Sequence, residues 1–163
     1  MRTIIFFDVD NTIYNNTLGL VPEQTKKLIK ALANKEDVVL GLATGRGISK
    51  LSIIDEILPY FTYFVLVNGG VGMKKDEIIF DAPIDIEDIE QTIQIASTYQ
   101  LPVGMVGLFD DAVNLWDEKV DQGMALLRGI APKVNPDFHH HQKVYQMWLF
   151  SEHEAELFDM GKK

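Results

Sequence analysis

Three short apolar runs in the first half of the chain, each ending in small or polar residues, constrain the fold more than any other feature. The runs are Thr3–Phe7, Val38–Ala43 and Tyr63–Val67. Apolar runs of this length and composition are typical of strands that are covered on both faces in a parallel sheet. Helical patterns separate them, so the sequence predicts an α/β fold, a Rossmann-like doubly wound parallel sheet.

Two helices are predicted between these strands. The first opens at Pro22, a residue that suits the first helical position, and Leu28, Ile29 and Leu32 then recur on one face. The second extends from Ile48 to Leu58 and is stopped by Pro59.

From Val71 onward the pattern changes to an α+β arrangement, and the chain is predicted to form two domains, residues 1–81 and 82–163. Gly123–Leu127 is ambiguous. The other predicted elements are a hairpin of Val71–Met73 and Ile78–Phe80, a linker at Asp81–Pro83, a helix at Ile84–Tyr99, strands at Val103–Phe109, Asn114–Trp116 and Val144–Phe150, and an acidic segment at Glu152–Met160.

Charge and composition exclude several classes of protein. The 163 residues include 15 Lys and Arg against 24 Asp and Glu, a net charge of −9, which argues against nucleic-acid and anionic-membrane partners. The absence of Cys excludes disulfides, Cys-ligated zinc and cysteine nucleophiles. No apolar run reaches membrane length and no signal-peptide pattern occurs at the N-terminus, so we expect a soluble cytoplasmic protein.

The polar clusters that follow the three runs predict a ligand site. In doubly wound sheets, ligands bind beyond the carboxyl ends of the strands. Asp8 and Asp10, two apart as a strand ends, can point together, and two close carboxylates suit Mg²⁺. Thr44 offers a hydroxyl and Gly45 an amide for a phosphate group. Because an acidic protein needs a cation to accept an anionic substrate here, charge balance also favours the metal.

The segments Phe7–Thr12, Ala43–Arg46 and Val67–Gly70, followed by a hairpin, together resemble the haloacid dehalogenase-like superfamily. The sequence is most similar to Cof-type sugar-phosphate phosphatases (subclass IIB), which insert an α/β cap domain after the third strand and its hairpin. The resemblance implies that residues 1–81 are the N-terminal half of the core and that residues 82–163 are an incomplete cap.

The resemblance also implies a reaction, the Mg²⁺-dependent hydrolysis of a small phosphorylated metabolite such as a sugar phosphate. Asp8 would be the nucleophile that forms an aspartyl-phosphate, and it would also ligate Mg²⁺. Asp10 would be the acid and base, and its backbone carbonyl would ligate the metal. The substrate-binding residues implied are Thr12, Thr44, Gly45, Arg46 and Asn68.

The sequence departs from the family pattern in one small and one large respect. Asn11 stands where most members carry Gly, and Asn tolerates the same left-handed backbone. The family also has a Lys and a Gly-Asp pair after the cap, but no Gly-Asp pair occurs in these 163 residues. Losing one electrostatic group of this kind typically costs ~10²–10³ in rate, so we expect the chain alone to be a poor catalyst.

Two alternatives to an active enzyme follow. The chain could be an inactive remnant or split-enzyme subunit that only binds phosphate and Mg²⁺. A phospho-receiver would instead need an acceptor Asp after the third strand, where this chain has Asn68.

In the family the first strand lies inside the sheet, so Thr3–Phe7 would be an exposed apolar edge. That edge predicts self-association or pairing with a separate C-terminal half.

Three further groups of residues are interpreted as structural. The run His139–His141 follows Asn135-Pro136-Asp137, and we expect a solvated loop, because three consecutive His point in different directions. Asp110-Asp111 is interpreted as a strand end, since it lacks the preceding Gly. The aromatic residues expected in the core of the second domain are Trp116, Tyr145 and Trp148.

Overall fold

The computed structural model describes residues 2–127 and 131–152. The chain divides into two compact units between Ala82 and Pro83. None of the helices within these residues is long and apolar enough to cross a membrane.

The first unit is built on one five-stranded sheet with the strands in chain order. Strands β1, β2 and β3 are parallel, and β4 and β5 form an antiparallel hairpin that continues the sheet. The predicted α/β fold with its following hairpin is therefore confirmed. The elements are β1 (Thr3–Phe7), α1 (Glu23–Ala33), β2 (Val38–Ala43), β3 (Tyr63–Leu66), β4 (Val71–Lys74) and β5 (Glu77–Asp81).

Helix α1 begins where the sequence changes from Pro22 to an acidic first turn. Pro22 is the N-cap, so the helix begins one residue after the predicted start, and the Pro22 carbonyl accepts a hydrogen bond from the Lys26 amide at 3.0 Å. Glu23 in the first turn complements the positive end of the helix dipole. Ile29 is fully buried and anchors the helix to the unit.

The predicted helix at Ile48–Leu58 is wrong in type. The chain forms two short 3₁₀ segments instead, Ile48–Ile54 and Leu58–Tyr60, and Pro59 lies inside the second. The buried residues of this stretch, Leu51, Ile54 and Ile57, recur every three residues, which is the period of a 3₁₀ helix.

Strand β1 is also more exposed than predicted. It lies at the edge of the sheet, and Ile4 and Phe6 are 51% and 47% exposed. Ile4 and Phe6 point to the same face, so this face of the strand is open rather than covered as predicted. Within the described residues, β1 pairs only with β2.

The second unit holds a four-stranded sheet in the order β8-β7-β6-β9. Strand β6 pairs antiparallel with β7 and β9, and β7 pairs parallel with β8. One core cluster consists of Ile89, Met105, Ala112, Phe138 and Val144. The elements are α2 (Ile86–Thr98), β6 (Val103–Val106), β7 (Asp111–Val113), α3 (Glu118–Leu127), β8 (Lys133–Val134), α4 (Phe138–His141) and β9 (Gln146–Leu149).

Three predictions in this unit are wrong. Trp116, expected in the core, is 38% exposed. The strand expected at Asn114–Trp116 lies at Asp111–Val113, because Asn114 ends it: its side-chain oxygen accepts a hydrogen bond from the Val103 amide at 2.8 Å. The histidine run is not a loop but forms most of α4. The ambiguous Gly123–Leu127 belongs to α3, and the predicted acidic segment Glu152–Met160 lies outside the described residues beyond residue 152.

Candidate active site

A tight turn after β1 carries the two aspartates. The Val9 side chain is fully buried, and its carbonyl accepts hydrogen bonds from the amides of Ile13 at 3.0 Å and Tyr14 at 2.8 Å. Asn11 has φ +57°, the left-handed conformation that the sequence allows at this position. The turn leaves Asp8 exposed and Asp10 half-buried.

Thr44 follows β2 and is one of the few buried polar residues, at 6% exposure. Its amide donates to the Val65 carbonyl of β3 at 2.9 Å, which continues the parallel pairing past the strand end. Its hydroxyl oxygen accepts a hydrogen bond from the Arg46 amide at 3.2 Å. Thr44 is therefore fixed by a hydrogen bond to β3 and by one from its own loop.

Arg46 forms an ion pair with Asp10. Its Nε and one terminal nitrogen donate to the two carboxylate oxygens of Asp10 at 2.9 and 2.7 Å, a bidentate pair. These hydrogen bonds hold the pKa of Asp10 below its ordinary value, against an opposing effect of burial. A side-chain hydrogen bond with Asn16 lowers the same pKa further. The structure therefore favours the ionised form of Asp10.

The loop after β3 packs against the loop after β2. The Asn68 amide donates to the Thr44 carbonyl and the Val67 amide to the Arg46 carbonyl, both at 3.2 Å. Val67 and Asn68 have φ values of +46° and +56°, and this conformation is strained for a β-branched residue such as valine. A Cβ on Gly45 would lie 2.8 Å from Asn68 Oδ1, so a larger residue there would displace the Asn68 side chain where the two loops meet.

The structure connects some of the predicted site residues by contacts and leaves others beside them. Asp10, Thr44, Gly45, Arg46 and Asn68 form one connected set at the ends of the three parallel strands. Asp8 stands beside them on the same turn, and the Thr12 hydroxyl lies 3.5 Å from its carboxylate. The sequence interpretation missed Asn16, since nothing in an Asn-Asn turn distinguishes a site residue from a turn residue.

The first unit also has a cavity away from the predicted site residues. A cavity of about 550 Å³ in the first unit lies beside the two 3₁₀ segments, with Leu51, Phe61 and Phe64 among its lining residues. None of the predicted site residues lines it. The chemistry of the site therefore resides in the strand-end loops.

The donor atoms of this site fit a hard cation. Asp8 and Asp10 offer carboxylate oxygens, and Mg²⁺ is often held by only one or two carboxylates together with water. The Asp10 carboxylate is already paired with Arg46, so Asp8 is the carboxylate best placed to bind a cation.

A parallel sheet with Asp-x-Asp after its first strand and Thr-Gly after its second places the chain in a class of α/β proteins whose site lies at the carboxyl ends of the strands. The sequence model of one such family, haloacid dehalogenase-like hydrolase, matches residues 5–159, and the chain belongs to this family.

Similar proteins share the fold and extend beyond the region matched. A Streptococcus pyogenes serotype M6 protein with the provisional name bifunctional phosphatase/peptidyl-prolyl cis-trans isomerase is 26% identical over 151 residues, which cover 91% of this chain and 31% of that protein. A structure from Geobacillus kaustophilus HTA426 has a TM-score of 0.87 at 22% identity, covering 99% of this chain and 62% of the other. A subclass IIB sugar phosphatase, BT4131, has a TM-score of 0.77 at 21% identity, covering 98% and 62%. The chain therefore spans less than two thirds of the length of these proteins.

Proposed function

We propose that the strand-end site binds Mg²⁺ and a small phosphate monoester, with a sugar phosphate as substrate class, and hydrolyses it through an aspartyl-phosphate on Asp8. The observation that carries the proposal is the connected set of Asp10, Thr44, Arg46 and Asn68 beside an exposed Asp8. Family membership supports the reaction class, and the sugar phosphatase among the structural neighbours supports the substrate class.

The proposed reaction has two steps. A carboxylate oxygen of Asp8 forms a bond to phosphorus while the bond from phosphorus to the leaving oxygen breaks, and Asp10 donates the proton that this oxygen takes up. Water then gives a proton to Asp10 and attacks phosphorus, which releases Asp8 and inorganic phosphate. The Thr44 hydroxyl and the Gly45 amide hold phosphoryl oxygens throughout, and Thr12 and Asn68 line the mouth of the site.

The Arg46–Asp10 pair sets a condition on the first step. An acid must carry a proton, but the bidentate pair lowers the pKa of Asp10 and favours its ionised form. We therefore propose that an arriving phosphate dianion draws Arg46 away from Asp10, because guanidinium binds phosphate in the same bidentate manner. Substrate binding would then raise the pKa of Asp10 when its proton is needed.

Mg²⁺ would be held by the Asp8 carboxylate and the Asp10 backbone carbonyl. When bound, the ion neutralises negative charge on the phosphoryl group as it transfers. The protein itself supplies a net charge of −9, so the local cation and Arg46 together make the site acceptable to an anion.

A second candidate is phosphate binding without turnover. The observation that favours it is the absence of any Gly-Asp pair in the 163 residues, since the family resemblance places such a pair at the metal site. This candidate keeps Thr44, Gly45 and Arg46 as the phosphate contacts and gives Asp8 no covalent role.

An assay with p-nitrophenyl phosphate, with and without Mg²⁺, separates the two candidates. If Asp8 is the nucleophile, Asp8→Asn lowers the Mg²⁺-dependent rate at least ~10³-fold. Asp110→Asn, an exposed aspartate of the second unit, is the matched control and leaves the rate unchanged. Binding of inorganic phosphate without turnover would support the second candidate, and the absence of both binding and turnover would contradict both.

We also propose that the free edge of β1 is covered by a strand from a second copy of the chain or from a separate C-terminal half. Ile4 and Phe6 are about half exposed on this edge strand, and such edges favour pairing with another chain. Light scattering at micromolar concentration tests the first source, with Ile4→Lys expected to abolish any association. A monomeric wild-type chain would exclude self-association under these conditions and leave a separate half to be tested by co-expression.

A further inference from the structure

Two histidines and a glutamate meet in the second unit, away from the residues of the proposed active site. One ligand atom from each of Glu90, His139 and His140 lies within 4.8 Å of the others. His140 Nε2 is 4.0 Å from Glu90 Oε1, and the two imidazole rings have centroids 4.1 Å apart. It is the single such group found within the described residues.

Packing in the hydrophobic core positions the residues of this cluster. Ile89 on α2 and Phe138 on α4 are 2% and 5% exposed and belong to the same core cluster. Each of them immediately precedes a member of the group, Glu90 on α2 and His139 on α4. Core packing therefore holds the two helices in the position that brings the polar side chains together, without requiring any attraction between them.

The chemistry of the three side chains suits a particular class of ion. Imidazole nitrogens with a carboxylate favour Zn²⁺ and similar divalent transition metals, whereas Mg²⁺ prefers oxygen ligands. With metal–ligand bonds of about 2.0–2.1 Å, ligand atoms of a tetrahedral site lie about 3.4 Å apart. Side-chain rotations of small amplitude would bring the present group to that spacing, and three protein ligands would leave the fourth position for water.

A buried atom at the cluster supports a ligand-binding role. Nδ1 of His139 is buried and has no hydrogen-bond partner within the described part of the chain, an arrangement that native proteins generally avoid. His139 and His140 also line a cavity of about 330 Å³ together with Ile84, Ile86 and Lys143, so the rings are accessible to an ion from this side.

We propose that Glu90, His139 and His140 form a binding site for a divalent transition metal of the Zn²⁺ type in the second unit. The proposal is independent of the Mg²⁺ site in the first unit, which uses oxygen donors on other residues. Consecutive residues generally point in different directions, but the rings of His139 and His140 have centroids only 4.1 Å apart, and Glu90 from α2 supplies the third ligand atom.

Calorimetric titration of the full chain, carrying no histidine tag, with Zn²⁺ in excess Mg²⁺ tests the proposal. We expect one saturable Zn²⁺ site. Altering groups outside the first coordination shell costs about 10–100-fold in affinity, so His139→Asn and His140→Asn should each weaken Zn²⁺ binding at least ~100-fold, and Glu90→Gln at least ~10-fold.

His141→Asn is the matched control, because it removes a histidine from the same run but not from the cluster. It should leave Zn²⁺ affinity within about threefold, well short of a typical ligand-shell effect. The fluorescence of Trp116 and Trp148, both in the second unit, reports whether each metal-free variant is folded. The proposal is overturned if the wild-type chain shows no saturable site, if His141→Asn weakens binding as much as His139→Asn, or if Glu90→Gln has no effect.

Discussion

Strands β1 and β6 are both short and apolar, but the two sheets use them differently. In β1, Ile4 and Phe6 are about half exposed, because the strand lies at a sheet edge. In β6, every residue is buried, because the strand lies between β7 and β9 with Met105 in the core. Apolar composition therefore identifies a strand, whereas its position in the sheet depends on partners distant in sequence.

The two sheets nevertheless share one packing device. Gly41 of β2 is directly opposite Phe6 of β1, and Gly104 of β6 is directly opposite Trp148 of β9. In each pair the aromatic ring covers the glycine, where a Cβ would collide with it. The pairs differ in surroundings, since the Phe6 ring borders solvent and the Trp148 ring also contacts Phe150 edge-on, with centroids 6.4 Å apart.

The largest loss of stability is expected when a buried side chain of the interior strand β6 is truncated. Met105→Ala should destabilise the second unit by about 2–5 kcal/mol, because it opens a cavity among Ile89, Ala112 and Phe138. Ile4→Ala should cost the first unit less than about 1 kcal/mol, since that side chain is half exposed already. Urea unfolding followed by tryptophan fluorescence measures the first change, because both tryptophans belong to the second unit.

Hydrogen exchange of peptides from β1 and β2 measures the Ile4→Ala effect in the first unit. Equal destabilisation by the two substitutions would contradict the contrast between the strands.

The comparison also explains what sequence reasoning could reach. The strand ends in the first unit were predictable, because Asp8, Thr44 and Asn68 each follow an apolar run and parallel strands bring such residues to one edge. Their mutual contacts were not predictable. Arg46 and Asp10 are 36 residues apart in the sequence, and no local pattern specifies which carboxylate an arginine will bind.

Errors arose where a tertiary contact competes with a local preference. The stretch from Ile48 to Leu58 has an apolar pattern that fits an α-helix or a 3₁₀ helix, and only the burial of every third residue distinguishes them. The residues before His139 favour a loop, but Phe138 is buried in the core of the second unit, and the chain forms a helix there instead. Strand β7 ends at Val113, because the side chain of the next residue, Asn114, accepts the hydrogen bond from the Val103 amide of β6.

An intermediate effect is expected from filling the two covered glycines. Gly104→Ala would place a Cβ 2.9 Å from the Trp148 ring in a packed region, and overpacking of this kind typically costs about 1–3 kcal/mol. Gly41→Ala should cost less than Gly104→Ala, because the Phe6 ring can move toward solvent. The tryptophan unfolding transition should shift for Gly104→Ala and stay unchanged for Gly41→Ala, whose smaller effect is measured by exchange in β1 and β2.

The smallest free-energy differences are expected for two ion pairs, one from each unit. Arg46–Asp10 is bidentate and partly buried, whereas Lys133 Nζ and Asp110 Oδ1 are 3.9 Å apart with both side chains mostly exposed. A double-mutant cycle should therefore give about 1 kcal/mol for the first pair and about 0.2 kcal/mol or less for the second.

The Arg46–Asp10 pair also predicts a pH dependence with a defined sign. Arg46 holds the pKa of Asp10 in the folded chain below its ordinary value of 3.8. Its contribution to stability is therefore fully present above that value and is lost as the pH falls through the lowered pKa. In Arg46→Gln the hydrogen bonds and the charge of Arg46 are gone, while burial and the weaker effect of the Asn16 hydrogen bond remain, so the pKa of Asp10 should rise. A carbon-detected NMR titration of the Asp10 carboxyl group measures this, with Lys133→Gln as the control that leaves it unchanged. An Asp10 pKa that is the same with and without Arg46 would show that the pair does not persist in solution, and the substrate-driven release of Asp10 proposed above would then have no basis.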